Sequence, residues 1–312
     1  MILIPRYTDL EAKQSLLIQP RMAGRFKFTA IRPDGRERPL TGWIPNLVTD
    51  TGLNLLGTTY VLSYCHVGTS NTAPAVGQST LSGWVASTST VQESSSVAQS
   101  SPPYYGRKVI RYRFAQGAAV GNLSEVGIGI AATNTSLWSR ALIVDEFNVP
   151  TTISVLSDEV LDVTYELRLY PPLVDGGPAT ISISGTNYDV TWRAADVDGF
   201  NWHYYIGSTA SFTQQSNTHA VYNGLMNVDI TGTPSGQGTS QSMGNVAYSN
   251  NSLQRDGSVS YNLNDGNLSG GIKSCVTYTT LGAFQFEFNN PIPKDNTKTL
   301  TLTHRISWSR YP

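Results

Sequence analysis

Charged side chains, cysteine and long apolar runs are all scarce in this sequence, and each shortage removes a class of protein. Lysine and arginine number 21 against 22 aspartates and glutamates, a formal net charge of -1, and only 14% of residues are charged. So balanced a chain has no overall field with which to gather nucleic acid or an anionic membrane, and no nucleic-acid partner is expected. The two cysteines, Cys65 and Cys275, stand 210 positions apart. They are too few for a disulfide framework and read as buried thiols. No apolar run reaches the length of a membrane span. Ile2-Leu3-Ile4 is cut off by Pro5, Arg6 and Asp9, so no secretory signal is expected and synthesis is placed in the cytoplasm. The Asn-x-Ser/Thr sites at Asn122, Asn134, Asn250 and Asn267 then carry no glycosylation argument.

Chemistry-bearing motifs are equally sparse. The sequence has no glycine-rich phosphate loop, nucleophile elbow or Cys-x-x-Cys. Its four histidines, His66, His203, His219 and His304, include no short-spaced pair, and a zinc site would need three or four of them to meet in space. Asp196-Val197-Asp198-Gly199 is the best local carboxylate pair, but it lacks the ligand spacing of a calcium loop and reads first as a hydrogen-bonded turn. No catalytic, cofactor-binding or metal-binding residue is therefore assigned, and no cofactor is expected.

What is abundant is hydroxyl, amide and turn chemistry, with 28 glycines and 16 prolines. Residue-by-residue alternation runs through the chain with the two-residue period of a strand. Leu161, Val163, Tyr165, Leu167 and Leu169 oppose Asp162, Thr164, Glu166 and Arg168; Leu300, Leu302, His304, Ile306 and Trp308 oppose Thr299, Thr301, Thr303, Arg305 and Ser307. The similarity of these two runs raises a divergent duplication. Pro33-Asp34-Gly35 predicts a hairpin over residues 25–38. One short helix is predicted after Val48, capped by Thr49 or Asp50 and ended by Gly57.

These signals predict an all-β fold of antiparallel β-sandwich domains, with one short helix and an extended N-terminal arm. The division is an assembly arm over 1–24, a sandwich over 25–172, and a β-rich domain over 173–312, parted at Pro171-Pro172. The polar tract over 231–251 is expected to project or to wrap over a neighbour. Arg107, Arg111 and Arg113 alternate with apolar residues, as on an edge or interface strand. Trp202, Tyr204 and Tyr205 suit packing in a subunit contact or stacking on a sugar. These six residues form the candidate assembly or ligand surface. Three classes stay open: an assembly protein, a carbohydrate-binding module, and a hydrolase without a recognised motif.

Ile31-Arg32-Pro33-Asp34-Gly35, continued by Trp43-Ile44-Pro45-Asn46-Leu47-Val48-Thr49-Asp50-Thr51-Gly52-Leu53, resembles virion proteins of the tail, fibre and attachment region of tailed bacteriophages. His66-Val67-Gly68-Thr69-Ser70-Asn71-Thr72-Ala73-Pro74 resembles the polar turn that follows there, and Leu123–Ile128 with Leu137–Leu142 a later strand pair. The resemblance covers residues 25–170; beyond them only the general rhythm is similar. It implies a non-enzymatic structural component of a virion, made in the host cytoplasm and placed in the tail or attachment region as a tail, collar or fibre-base adaptor. The implied partners are other virion proteins and further copies of this chain in a homo-oligomer, with a host-surface glycan as another candidate. A capsid decoration protein or a receptor-recognition module are the alternatives. The resemblance further implies that Glu125 and Arg140 link neighbouring strands.

Overall fold

In the computed structural model the described residues are 8–11, 16–199, 201–213 and 217–311; for 8–11, 16–18, 201 and 202 only the backbone is described. Among them one six-residue helix and one short 3-10 turn, Asn201–Tyr205, interrupt a succession of strands, and the expected all-β sandwich fold is what forms.

In the first sandwich the front sheet runs in the order Ser309–Arg310, Arg21–Ile31, Val160–Tyr170, Gly106–Phe114, Val91–Ala98. Alternation builds it: Met22, Phe26 and Phe28 point inward with Leu161, Val163, Tyr165, Ile110, Tyr112 and Phe114, while the polar partners face out. The register is unbroken from Val160 opposite Ile31 to Tyr170 opposite Arg21, so every inward side chain meets an inward neighbour. The predicted hairpin is present. Thr29 pairs with Pro39, and Gly35 takes the left-handed turn position at φ 81°. The Gly106–Phe114 strand, expected at an edge or interface, lies inside the sheet, and Val91–Ala98 takes the edge.

The back sheet runs Leu47–Val48, Leu137–Leu142, Glu125–Gly129, Tyr64–Gly68, Trp84–Thr88. Tyr165 joins the layers, its hydroxyl accepting from Trp138 Nε1 at 2.9 Å and Asn46 Nδ2 at 3.0 Å.

The second sandwich pairs a six-stranded sheet, from Gly176–Ile183 to Gly238–Gln241, with a smaller one centred on Lys298–Ser307 and Gln254–Tyr261. Thr8–Glu11 and Leu16–Ile18 pair in parallel with Lys298–Ser307 of the same chain. The described part of the expected arm is therefore sheet in its own fold, and the first long strand already starts at Arg21. The two similar runs differ in company. Val160–Tyr170 has antiparallel neighbours on both sides, whereas Lys298–Ser307 has one antiparallel neighbour and a parallel pair. The tract over 231–251 does not simply project: it supplies two edge strands, buries Met243 and stacks Tyr248 on Trp308, with ring centroids 5.7 Å apart.

The helix Asp50–Leu55 sits where the sandwiches meet. Thr49 is its cap, accepting from Gly52 N at 2.9 Å, and Gly52 lets the helix lie directly on the Trp138 backbone. The helix closes at Leu56, directly before Gly57 as expected, with Gly57 N donating to Asn54 O at 3.0 Å; Gly57 also leaves room for the Tyr248 ring, which a Cβ there would meet at 2.4 Å. Trp308 Nε1 donates to Leu53 O at 2.7 Å, and Asn54 accepts from the Tyr248 hydroxyl at 2.9 Å. A helix this short has too few internal hydrogen bonds to persist alone, so these contacts from the second sandwich hold it.

Candidate functional site

The outer face of the front sheet gathers a row of guanidinium groups over two carboxylates. Strand register puts Arg113 opposite Asp162, and Arg25 opposite Glu166. Arg113 Nε bonds Asp162 at 2.7 Å, with Arg111 at 3.8 Å; Glu166 is met by Arg25 at 3.0 Å, Arg168 at 2.5 Å and Arg107 at 3.7 Å. The two acids are 1% exposed, whereas the arginines keep between 24% and 41% of their side-chain surface in solvent. Burial works to raise the Glu166 carboxyl, but the hydrogen bonds from Arg25 and Arg168 outweigh it and hold it below its ordinary value. The face therefore presents cations whose geometry is fixed from beneath. Glu37 and Glu93, more exposed, approach Arg111 at 3.9 and 3.4 Å.

At one end this row grades into aromatic rings. The Arg25 guanidinium lies over Trp43 at 4.2 Å and that of Arg168 over Tyr105 at 4.3 Å, both within cation–π reach. Tyr105 is 5.8 Å from Tyr170, and Tyr170 is 4.2 Å from Tyr311. Tyr170 and Tyr311 continue into a cleft of about 470 Å³ between the sandwiches, lined also by Tyr104, Trp192 and Pro171.

Of the six candidate residues, Arg107, Arg111 and Arg113 share this outer face. Tyr204 is 57% exposed on the 3-10 turn, its ring 4.3 Å from His203, and Tyr205 beside it is half-buried. The Trp202 side chain lies outside the described residues. The structure adds Arg25, Arg168, Trp43, Tyr105, Tyr170 and Tyr311. The polar side of the Glu159–Tyr170 alternation carried a signal for part of this, because Asp162, Glu166 and Arg168 were all placed on one outward face.

On the far side of the back sheet, Glu125 and Arg140 form a wholly buried pair at 2.6 Å. Glu125 also accepts from the backbone of Gly83 at 2.5 Å, Ser82 at 3.2 Å and Ser70 at 3.4 Å. Arg140 donates to Gln78 Oε1 at 2.5 Å and Thr72 O at 2.8 Å. The pair thus fastens the 69–83 loop over the sheet, besides joining the two strands.

A third cluster fills the second sandwich. His219 and Cys275 come from adjacent strands of the six-stranded sheet and His304 from the facing sheet, all fully buried. The Nε2 atoms of His219 and His304 are 3.1 Å apart, although the residues lie 85 positions apart. His219 Nδ1 meets the Tyr261 hydroxyl at 2.8 Å, and His304 Nδ1 meets Thr277 Oγ1 at 3.2 Å. Burial lowers His304 to about 3; burial and the neighbouring ring push His219 well below its ordinary value. Burial raises the Cys275 thiol. His304, on the apolar face of its strand, therefore has a polar partner in His219. Asp196 and Asp198 belong to a turn in which Gly199 N reaches Asp196 O at 3.3 Å.

In comparisons with known proteins, no protein-family model matches this chain, and no curated protein or solved structure does either.

Proposed function

We propose that this chain is a non-enzymatic structural component of a bacteriophage virion, an adaptor of the tail or attachment region that docks through the outer face of its front sheet. The observation that carries the docking surface is the arginine row: half-exposed guanidinium groups, pre-oriented by buried Asp162 and Glu166, on a rigid multi-stranded sheet. Such a face suits a partner presenting carboxylates, because part of the ordering cost of the arginine side chains is already met within the fold. The placement in a phage particle rests on the resemblance of residues 25–170.

The test is incorporation. A chain carrying Arg107→Gln and Arg111→Gln, which leaves the Arg113–Asp162, Arg25–Glu166 and Arg168–Glu166 bonds in place, should fold, as judged by circular dichroism, yet be lost from purified particles by mass spectrometry. Normal incorporation of the folded variant would refute the docking face, and absence of the unaltered protein from particles would refute the virion role.

A second reading is favoured by the cleft lined by Tyr104, Tyr170, Trp192 and Tyr311, whose flat rings suit sugar faces. Under it the chain recognises a host-surface glycan. Glycan-array binding that is lost in Tyr311→Ala and Trp192→Ala would select this reading over the first.

A further inference from the structure

We propose that His219, Cys275 and His304 form a binding site for one zinc-class transition-metal ion, which joins the two sheets of the second sandwich. The inference is independent of the virion reading. It starts from convergence: one donor atom from each residue lies within 4.8 Å of the other two, inside the buried core of that sandwich.

The donor set and spacing suit such an ion. Zn–N bonds of about 2.0–2.1 Å and a Zn–S bond of about 2.3 Å put tetrahedral nitrogens about 3.3 Å apart and nitrogen and sulfur about 3.6 Å apart. The two Nε2 atoms already stand at 3.1 Å. One ring nitrogen of each histidine and the Cys275 sulfur lie within 4.8 Å of one another, so a movement of about 1 Å closes the set. Two imidazoles and a thiolate favour zinc and its borderline neighbours over calcium or magnesium, which take oxygen donors.

The surroundings are those of a ligand set with its outer contacts in place. Metal-bound histidines commonly donate their second ring N–H to a fixed acceptor, which sets the tautomer and the ring orientation. Here each Nδ1 has a hydroxyl neighbour, Tyr261 at 2.8 Å for His219 and Thr277 at 3.2 Å for His304. With both Nδ1 atoms protonated, both Nε2 lone pairs face the ion. Tyr261 then accepts from His219 and turns its own proton to the His219 carbonyl, 3.4 Å away. Without an ion the same groups form a neutral relay in which one Nε2–H donates to the other Nε2. The proton count closes: each histidine holds one proton in both states, and binding releases a single proton, from the Cys275 sulfur.

The core is closed, so the metal is loaded during refolding. The full chain is refolded from denaturant with Co²⁺, with Zn²⁺, or with a chelator. The expected Co²⁺ spectrum has a thiolate-to-metal charge-transfer band with tetrahedral visible bands, at one ion per chain. Zn²⁺ should displace the colour and raise the unfolding midpoint above that in chelator. Cys275→Ser should abolish the charge-transfer band, and Tyr261→Phe should weaken Zn²⁺ binding by about 10–100-fold. The unaltered chain decides the matter even if variants misfold: a refolded protein that takes up no stoichiometric Co²⁺ or Zn²⁺, or binds Co²⁺ without a thiolate band, overturns the site. Uptake undiminished in folded Cys275→Ser and His304→Gln variants overturns it equally.

Discussion

Replacing Glu125 by Gln should do far more damage than losing one ion pair from a surface. The carboxylate is wholly buried against Arg140 and accepts from three backbone amides of the 69–83 loop. An amide keeps one acceptor oxygen but turns an NH₂ group toward the donors that the second oxygen served. Arg140 stays charged, with Gln78 Oε1 and Thr72 O as its remaining acceptors. Removing one member of a buried pair costs about 3–5 kcal/mol, against a total of about 5–15 kcal/mol for an ordinary domain. With a urea slope near ~3 kcal/mol/M, the midpoint should fall by roughly 1 M or more. Hydrogen exchange should show early loss of protection at Ser70, Ser82 and Gly83, ahead of the strands. The double replacement Glu125→Gln with Arg140→Met removes both charges and should cost less than the sum of the two single replacements, a coupling that a double-mutant cycle measures directly. Strictly additive costs, or unchanged exchange at those amides, would refute the pair as the fastening of the loop.

Stability should also fall with acid between pH 7 and 5 in chelator. His219 and His304 are held neutral in the folded core, with His304 lowered to about 3, so the unfolded chain binds more protons below its ordinary histidine value. Their contribution is complete above pH ~6.5 and is lost as the pH falls from there, reaching about 4 kcal/mol for the pair by pH 5; equal urea midpoints at pH 7 and 5 would contradict it. Tyr165→Phe strips the acceptor from Trp138 Nε1 and Asn46 Nδ2 and should cost about 1–3 kcal/mol, read by calorimetry. Gly57→Ala should cost about 1–3 kcal/mol by driving a methyl group into the Tyr248 ring, and the added substitution Tyr248→Ala should relieve part of that strain.

Local chemistry was the legible part of this chain. Alternation along 161–169 and 300–308 marked the buried faces, and Thr49 followed by an apolar stripe marked the helix start, because both depend on neighbours a few positions away. Gly57 was half legible: it follows the apolar stripe and the helix stops directly before it, but its missing side chain also admits an aromatic ring from residue 248, which no local pattern announces. The parallel strands before residue 20 were illegible for a related reason. A parallel pair has no hairpin turn to announce it, and here the partner lies nearly the whole sequence away. The histidine cluster was invisible because its members acquire a common centre only when two sheets close on each other. The arginine row was half visible: alternation placed Arg107, Arg111 and Arg113 on one face, but only the strand register brings Asp162 and Glu166 beneath them.

Residues 298–310 take part in both sandwiches: Lys298–Ser307 lies at the centre of a sheet in the second, Trp308 braces the helix, and Ser309–Arg310 extends the front sheet of the first beside Arg21. A ribosome reaches these residues some 280 positions after it has made their partner at residue 21. Neither sandwich can be completed before residues 298–310 are made, and until then sheet edges and apolar faces stay uncovered. Loss of folded product from a stop codon near residue 298 is the outcome expected from the same geometry that knits the finished molecule together.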